Sequence, residues 1–164
     1  MSGFVFRDPP SDTQPDPAPP AADNVVCDAF WPAINLTDLR QAVRLNTDVT
    51  PERLRDAVRI AMLDMARELQ TWRLEQQLLG HATLSAVPAR QRVGDVSDYL
   101  LLWARGIYSI VAADIGERQT GEALTAAGAT RAEALQADVA VHQRNVVHAV
   151  RDFLGLTRVA VALI

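Results

Sequence analysis

From Thr50 to Gly80 the apolar positions Leu54, Ala57, Val58, Ala61, Met62, Met65, Leu69, Trp72 and Leu79 recur three and four apart. That period predicts one amphipathic helix. Arg53, Asp56, Asp64, Arg67, Thr71 and Glu75 occupy its other side. The start is written into the chain. Thr50 can cap, Pro51 suits the first helical position and Glu52 lies in the first turn, where the helix dipole favours an acid. Gly80 supplies the stop. The predicted helix, 51–79, is roughly 43 Å long at 1.5 Å per residue.

A second helix is predicted over 96–118. Tyr99, Leu100, Leu101, Leu102, Trp103, Ile107, Tyr108, Ile110, Val111 and Ile115 cover more than half its circumference, which marks the central, most buried helix. Arg105 and Asp114 mark its wetter side. Thr130-Arg131-Ala132-Glu133 reads as a capping box. It opens a third helix, 131–154, that carries Leu135, Val139, Val146, Val150 and Phe153 and stops at Gly155. A short helix near Asp38–Leu45 leads into these, after Phe30-Trp31-Pro32, a cluster suited to pinning the preceding segment to the core. The expected fold is all-α, a bundle of long helices joined by connections at 81–95 and 121–128.

Both ends break the helical pattern. Residues 1–28 hold six of the nine prolines, with one Arg against five Asp, a net of −4. The remaining fifteen Arg and fifteen Asp and Glu cancel, so the whole formal charge of −4 sits on this first segment. Such a composition favours an extended tail that a partner orders. The last residues, 156–164, are β-rich and carry no turn signal. With no partner strand expected elsewhere and a lone strand unstable, they are expected to pair across a subunit boundary. The chain thus divides into a tail (1–28), a helical body (29–155) and a terminal strand (156–164).

Composition narrows the chemistry. An apolar fraction of 49% with 5% aromatics suits packed helices. All sixteen basic residues are Arg, which excludes phosphate-loop lysines, Schiff bases and pyridoxal attachment. Cys27 stands alone, so no intrachain disulfide forms. No apolar run approaches the roughly 20 residues that span a bilayer, and the start shows no secretory h-region. His142 falls on the apolar stripe of the third helix, His148 on another face and His81 in a connection; their spacing fits no metal site. Asp95 and Asp98 read as helix-start acids rather than a catalytic pair. No cofactor and no catalytic residue is expected. A neutral body also lacks the basic footprint of a DNA-binding protein.

The body resembles the head-completion proteins of temperate contractile-tailed bacteriophages. The resemblance rests on an ordered series: Phe30-Trp31-Pro32, Arg40 to Leu45, and Thr50-Pro51-Glu52-Arg53-Leu54-Arg55-Asp56-Ala57. It continues through Glu68-Leu69, Trp72-Arg73, Gly80 and Leu84 to Pro88, and ends with Arg144, Ala149-Val150, Gly155, Arg158 and Ile164. The resemblance implies a structural virion protein at the head-to-tail junction, assembled in the bacterial cytoplasm. It would add to the portal vertex after DNA packaging as a ring, twelve copies matching a portal's symmetry, and prepare the head for the tail. Implied partners are other copies, the portal protein, capsid protein and a tail completion or terminator protein, with genomic DNA only as channel contents and no membrane. Phe4, Phe6 and Trp31, together with the terminal run Arg158, Val159, Val161, Leu163 and Ile164, are the expected partner-binding residues. A DNA-contacting packaging protein, another helical assembly adaptor and a small helical enzyme or metal carrier are the rival readings.

Overall fold

The computed structural model describes residues 23–43, 49–123 and 129–157, leaving out the side chains of 120–123 and 129–135. Among the described residues five α-helices and two small two-stranded sheets appear, in the order β1 (Asn24–Val25), β2 (Ile34–Asn35), α1 (Leu36–Ala42), α2 (Pro51–Glu68), α3 (Gln70–Leu78), β3 (Arg92–Val93), β4 (Val96–Ser97), α4 (Asp98–Ala123) and α5 (Ala129–Phe153). The chain is mostly helical, and α4 is central, packed along α5 on one side and α2 on the other.

Local chemistry explains most of these elements. The Thr50 hydroxyl accepts the Arg53 N–H at 3.3 Å, and Pro51 opens α2 as the sequence predicts. Leu54, Val58, Ala61, Met62 and Met65 then form its buried stripe. Gly80, at φ +93°, and Gly155, at φ +72°, adopt the left-handed conformation at the ends of α3 and α5, where a side chain on Cβ is disfavoured. The α1 cap was not anticipated: the Asn35 side-chain Oδ1 accepts the Thr37 and Asp38 N–H groups at 2.9 and 3.0 Å.

Helix α4 buries Tyr99, Trp103, Ile107, Val111 and Ile115, each four residues from the last. Two of its glycines, Gly106 and Gly116, permit close approach. A Cβ on Gly106 would lie 2.7 Å from Met65 Cε, and one on Gly116 would lie 2.7 Å from Val139 Cγ2. The α4–α5 seam is closed at the surface by Gln143 donating to Glu117 at 2.7 Å and Arg105 donating to Asn145 at 3.2 Å.

Several expectations are corrected. The helix predicted over 51–79 is broken at Leu69, whose ψ of 8° leaves the helical range. No Gly or Pro marks the place. Leu69 is the last fully buried residue of this run; beyond it α3 keeps one half-buried ring on the core, Trp72 against Tyr99 and Phe153. The second helix begins at Asp98, not 96, because Val96 and Ser97 form β4, and it continues to Ala123 rather than 118. The third runs from Ala129 to Phe153, so Thr130 lies inside it and is not its cap. The leading helix spans Leu36–Ala42 rather than 38–45.

The expectation that no other strands exist also fails. β1 pairs antiparallel with β2, and β3 with β4. Strands of two residues are too short to display a period. Of the segment expected as tail, residues 23–28 are described, and Val25 is buried opposite Ile34.

Candidate partner-binding site

The Phe30-Trp31-Pro32 segment is held down by a knot of polar contacts around Asp28. One carboxylate oxygen accepts the Phe30 and Trp31 N–H groups at 2.8 and 3.2 Å, and the other accepts Arg73 Nη1 at 2.6 Å. The Arg73 guanidinium lies over the Phe30 ring, 5.2 Å from its centre. The Phe30 carbonyl accepts the Leu84 N–H at 2.9 Å, which docks much of the 81–95 connection on the core; Leu84 and Val87 are buried. Trp31 stacks flat on Trp103 at 4.3 Å, with Phe30 against its edge at 4.8 Å and Phe153 at 6.3 Å. Trp31 is 3% exposed. The structure therefore places this residue, expected at a partner surface, inside the chain's own core.

Burial raises the Asp28 carboxyl, but the two backbone N–H groups and Arg73 outweigh it and hold the group below its usual range. A depressed carboxylate contributes stability that is fully present above its unfolded value and is lost as pH falls through the folded one. The melting temperature is expected to drop between about pH 5 and pH 3, and to drop less in Asp28→Asn. Thermal melts of both proteins across that range check it; parallel curves would remove Asp28 from the account. Burial, with the Asp28 charge added, also raises the neighbouring Cys27 thiol, and a raised thiol is a poor nucleophile.

The exposed groups are of another kind. Ile60 and Leu63 on α2, and Leu74, Leu78 and Leu79 at α3 and its end, are all more than half exposed, Leu78 reaching 88%. The start of α3 packs Trp72 on Tyr99 and Phe153, and its far end carries this apolar edge into solvent. The charges flanking α2 pair among themselves: Arg59 with Asp56 at 2.9 Å and Arg67 with Asp64 at 3.2 Å. Arg118 pairs likewise with Asp114 at 3.0 Å. A second exposed apolar group, Val93 and Val96, caps the β3–β4 hairpin.

Of the other expected partner-binding residues, Phe4, Phe6, Arg158, Val159, Val161, Leu163 and Ile164 lie outside the described residues. The α3 edge is a surface that sequence reasoning missed. Leu74 and Leu78 were the available signal, since both are apolar and fall outside the predicted stripe. Asp98, expected as a helix-start acid, opens α4 and also accepts Arg90 Nε at 3.0 Å. Asp95 sits in the hairpin turn, where its carbonyl accepts Arg92 Nη1 at 3.0 Å. His81, His142 and His148 are half-buried and separate. Among the described residues no group of His, Cys, Asp or Glu could hold a metal ion, and no helix is long and apolar enough to cross a membrane.

The polar groups of this helical body hold its own packing, and its outer faces carry apolar side chains and ion pairs. The chain belongs to the phage head completion protein family (GPL), which it matches over residues 25–164. It is similar to the head completion/stabilization protein of Escherichia phage P2, with 28% identity over 135 residues that cover 82% of this chain and 79% of that relative. No solved structure matches the chain.

Proposed function

We propose that this protein is a structural component of the phage virion that completes the head: it docks as a ring on the portal vertex after DNA packaging and prepares that vertex for the tail. Family membership supports the head-completion role. The observation that carries the docking is the α3 edge, where Leu74, Leu78 and Leu79 stand in water on a helix with no fully buried residue. Apolar side chains grouped on a projecting element mark an association surface. The ring is built by copies meeting head to tail through their helical faces, which close only when the rotation per copy divides the circle. A portal of twelve subunits sets that rotation. Phe4 and Phe6 reach apolar pockets on portal, capsid or tail protein, and the acids of the first segment meet basic surface there.

The rival packaging role, in which the chain grips duplex DNA, has less behind it. Phosphate binding needs unneutralised cations on one face, and Arg59, Arg67 and Arg118 each pair with an acid. The decisive experiment is complementation in vitro. Heads packaged without this protein should retain DNA and accept tails once the purified chain is added. Heads that lose DNA and remain tailless after saturation with folded protein would sink the proposal.

A further inference from the structure

Among the described residues β3 pairs only with β4, and its outer edge carries no strand. Val93-Gly94-Asp95-Val96 is a two-residue hairpin loop with Gly94 at φ +60° and no positive φ at Asp95, the pattern of a type II′ turn. In such a hairpin Val93 and Val96 are the hydrogen-bonded pair. The Asp98 N–H donating to the Gln91 carbonyl at 3.0 Å is the next rung. Arg92 lies between the two rungs, so its own backbone N–H and C=O point away from β4. The corresponding edge at Ser97 is closed, since Ser97 is buried and its hydroxyl accepts the Tyr99 N–H at 3.3 Å. The edge at Arg92 is exposed, as are Gln91, Val93 and Val96. An open edge of this kind is a pairing site that proteins usually cover.

The residues that can cover it leave the body beside it. Arg90 joins the root of the hairpin to the end of α5. Its Nε donates to Asp98 at 3.0 Å and its Nη2 to the Asp152 carbonyl at 2.7 Å. Gly155 lies so close that a Cβ there would be 3.1 Å from Arg90 Nη1. The chain past Gly155 is fixed once more by Arg151, whose Nε and Nη2 donate to the Thr157 carbonyl at 3.2 and 2.6 Å. Residues 158–164 follow, with Val159, Val161 and Leu163 on alternate positions. Seven extended residues reach about 23 Å, against roughly 13 Å for the edge from Arg90 to Gly94.

We infer that Arg158–Ile164 is the third strand of the β3–β4 sheet, added to the β3 edge of its own chain. Tethering beside the edge sets an effective concentration in the millimolar range, which favours the chain's own segment over a free one. Cross-strand contact of β-branched side chains with Val93 adds to the backbone bonds. The result is a covered edge and a larger apolar face at the end of α5. This goes beyond the ring and stands without it.

Amide hydrogen exchange at Arg92 is the test, read in the full chain and in a full-length Ala160→Pro/Val161→Pro variant. The two prolines remove adjacent N–H groups, one of which faces β3 in any register. The Arg92 amide is expected to exchange roughly tenfold or more slowly in the native chain, at every protein concentration. The Val96 amide should exchange alike in both, showing that the hairpin is intact. Equal rates at Arg92 would overturn the inference. Protection that grows with concentration would overturn it in favour of a second copy's segment. Protection that appears only on adding portal protein would assign the edge to the portal.

Discussion

Trp31→Ala is expected to lower stability by about 3–5 kcal/mol, the range for removing a large buried aromatic. For a body of this size that is a fall of roughly 10–15 °C in Tm. The size follows from position. Trp31 fills the space between Trp103, Phe30 and Phe153, and truncation leaves a cavity that three rigid rings cannot close. Trp31→Phe should keep most of the stability. It retains a ring over Trp103, and the indole N–H it removes is buried with no hydrogen-bond partner among the described residues. Thermal melts of the two variants separate the readings. A Trp31→Ala protein that melts within a few degrees of the native one would show that this residue is free for a partner after all.

Leu74→Asp combined with Leu78→Asp is expected to act the other way, leaving the fold and removing the assembly. Both residues are more than half exposed, and surface substitutions of this kind change stability by about 0.5 kcal/mol or less. If α3 meets a partner, two apolar anchors are lost and two charges are buried at the contact. Anchor residues at interfaces are each worth about 2 kcal/mol or more, so association should weaken by at least ~100-fold. Sedimentation of the variant with portal protein, beside its melting curve, reads both effects. Unchanged association would move the interface off α3.

The sequence shows the helices because their signals are local and repeated. Thr50-Pro51, Gly80 and Gly155 fix ends, and the stripe from Leu54 to Leu69 fixes a face. It hides the break at Leu69, where no Gly or Pro stands and the apolar period runs on to Trp72. It hides both hairpins as well: pairs of two residues have no period, and the register of the first rests on contacts 9 and 11 positions apart, Val25 with Ile34 and Asn24 with Asn35. Family likeness was legible from the order of motifs along the chain. The partner surface was only partly so. Phe30-Trp31-Pro32 reads equally as a docking knob or a core anchor, and stacking on Trp103, 72 positions away, decides for the core. The exposed Leu74 and Leu78 fall on a helix read as uniformly amphipathic, because a sequence does not show how far the core extends beneath a helix.

Light scattering of the purified chain, alone and mixed with the portal protein of its own genome, tests the central claim most directly. The account predicts a complex in which the two chains stand in about a one-to-one subunit ratio, as a ring matched to the portal's symmetry requires. A chain that ignores the portal, and instead joins duplex DNA with an affinity falling steeply with salt, would contradict it.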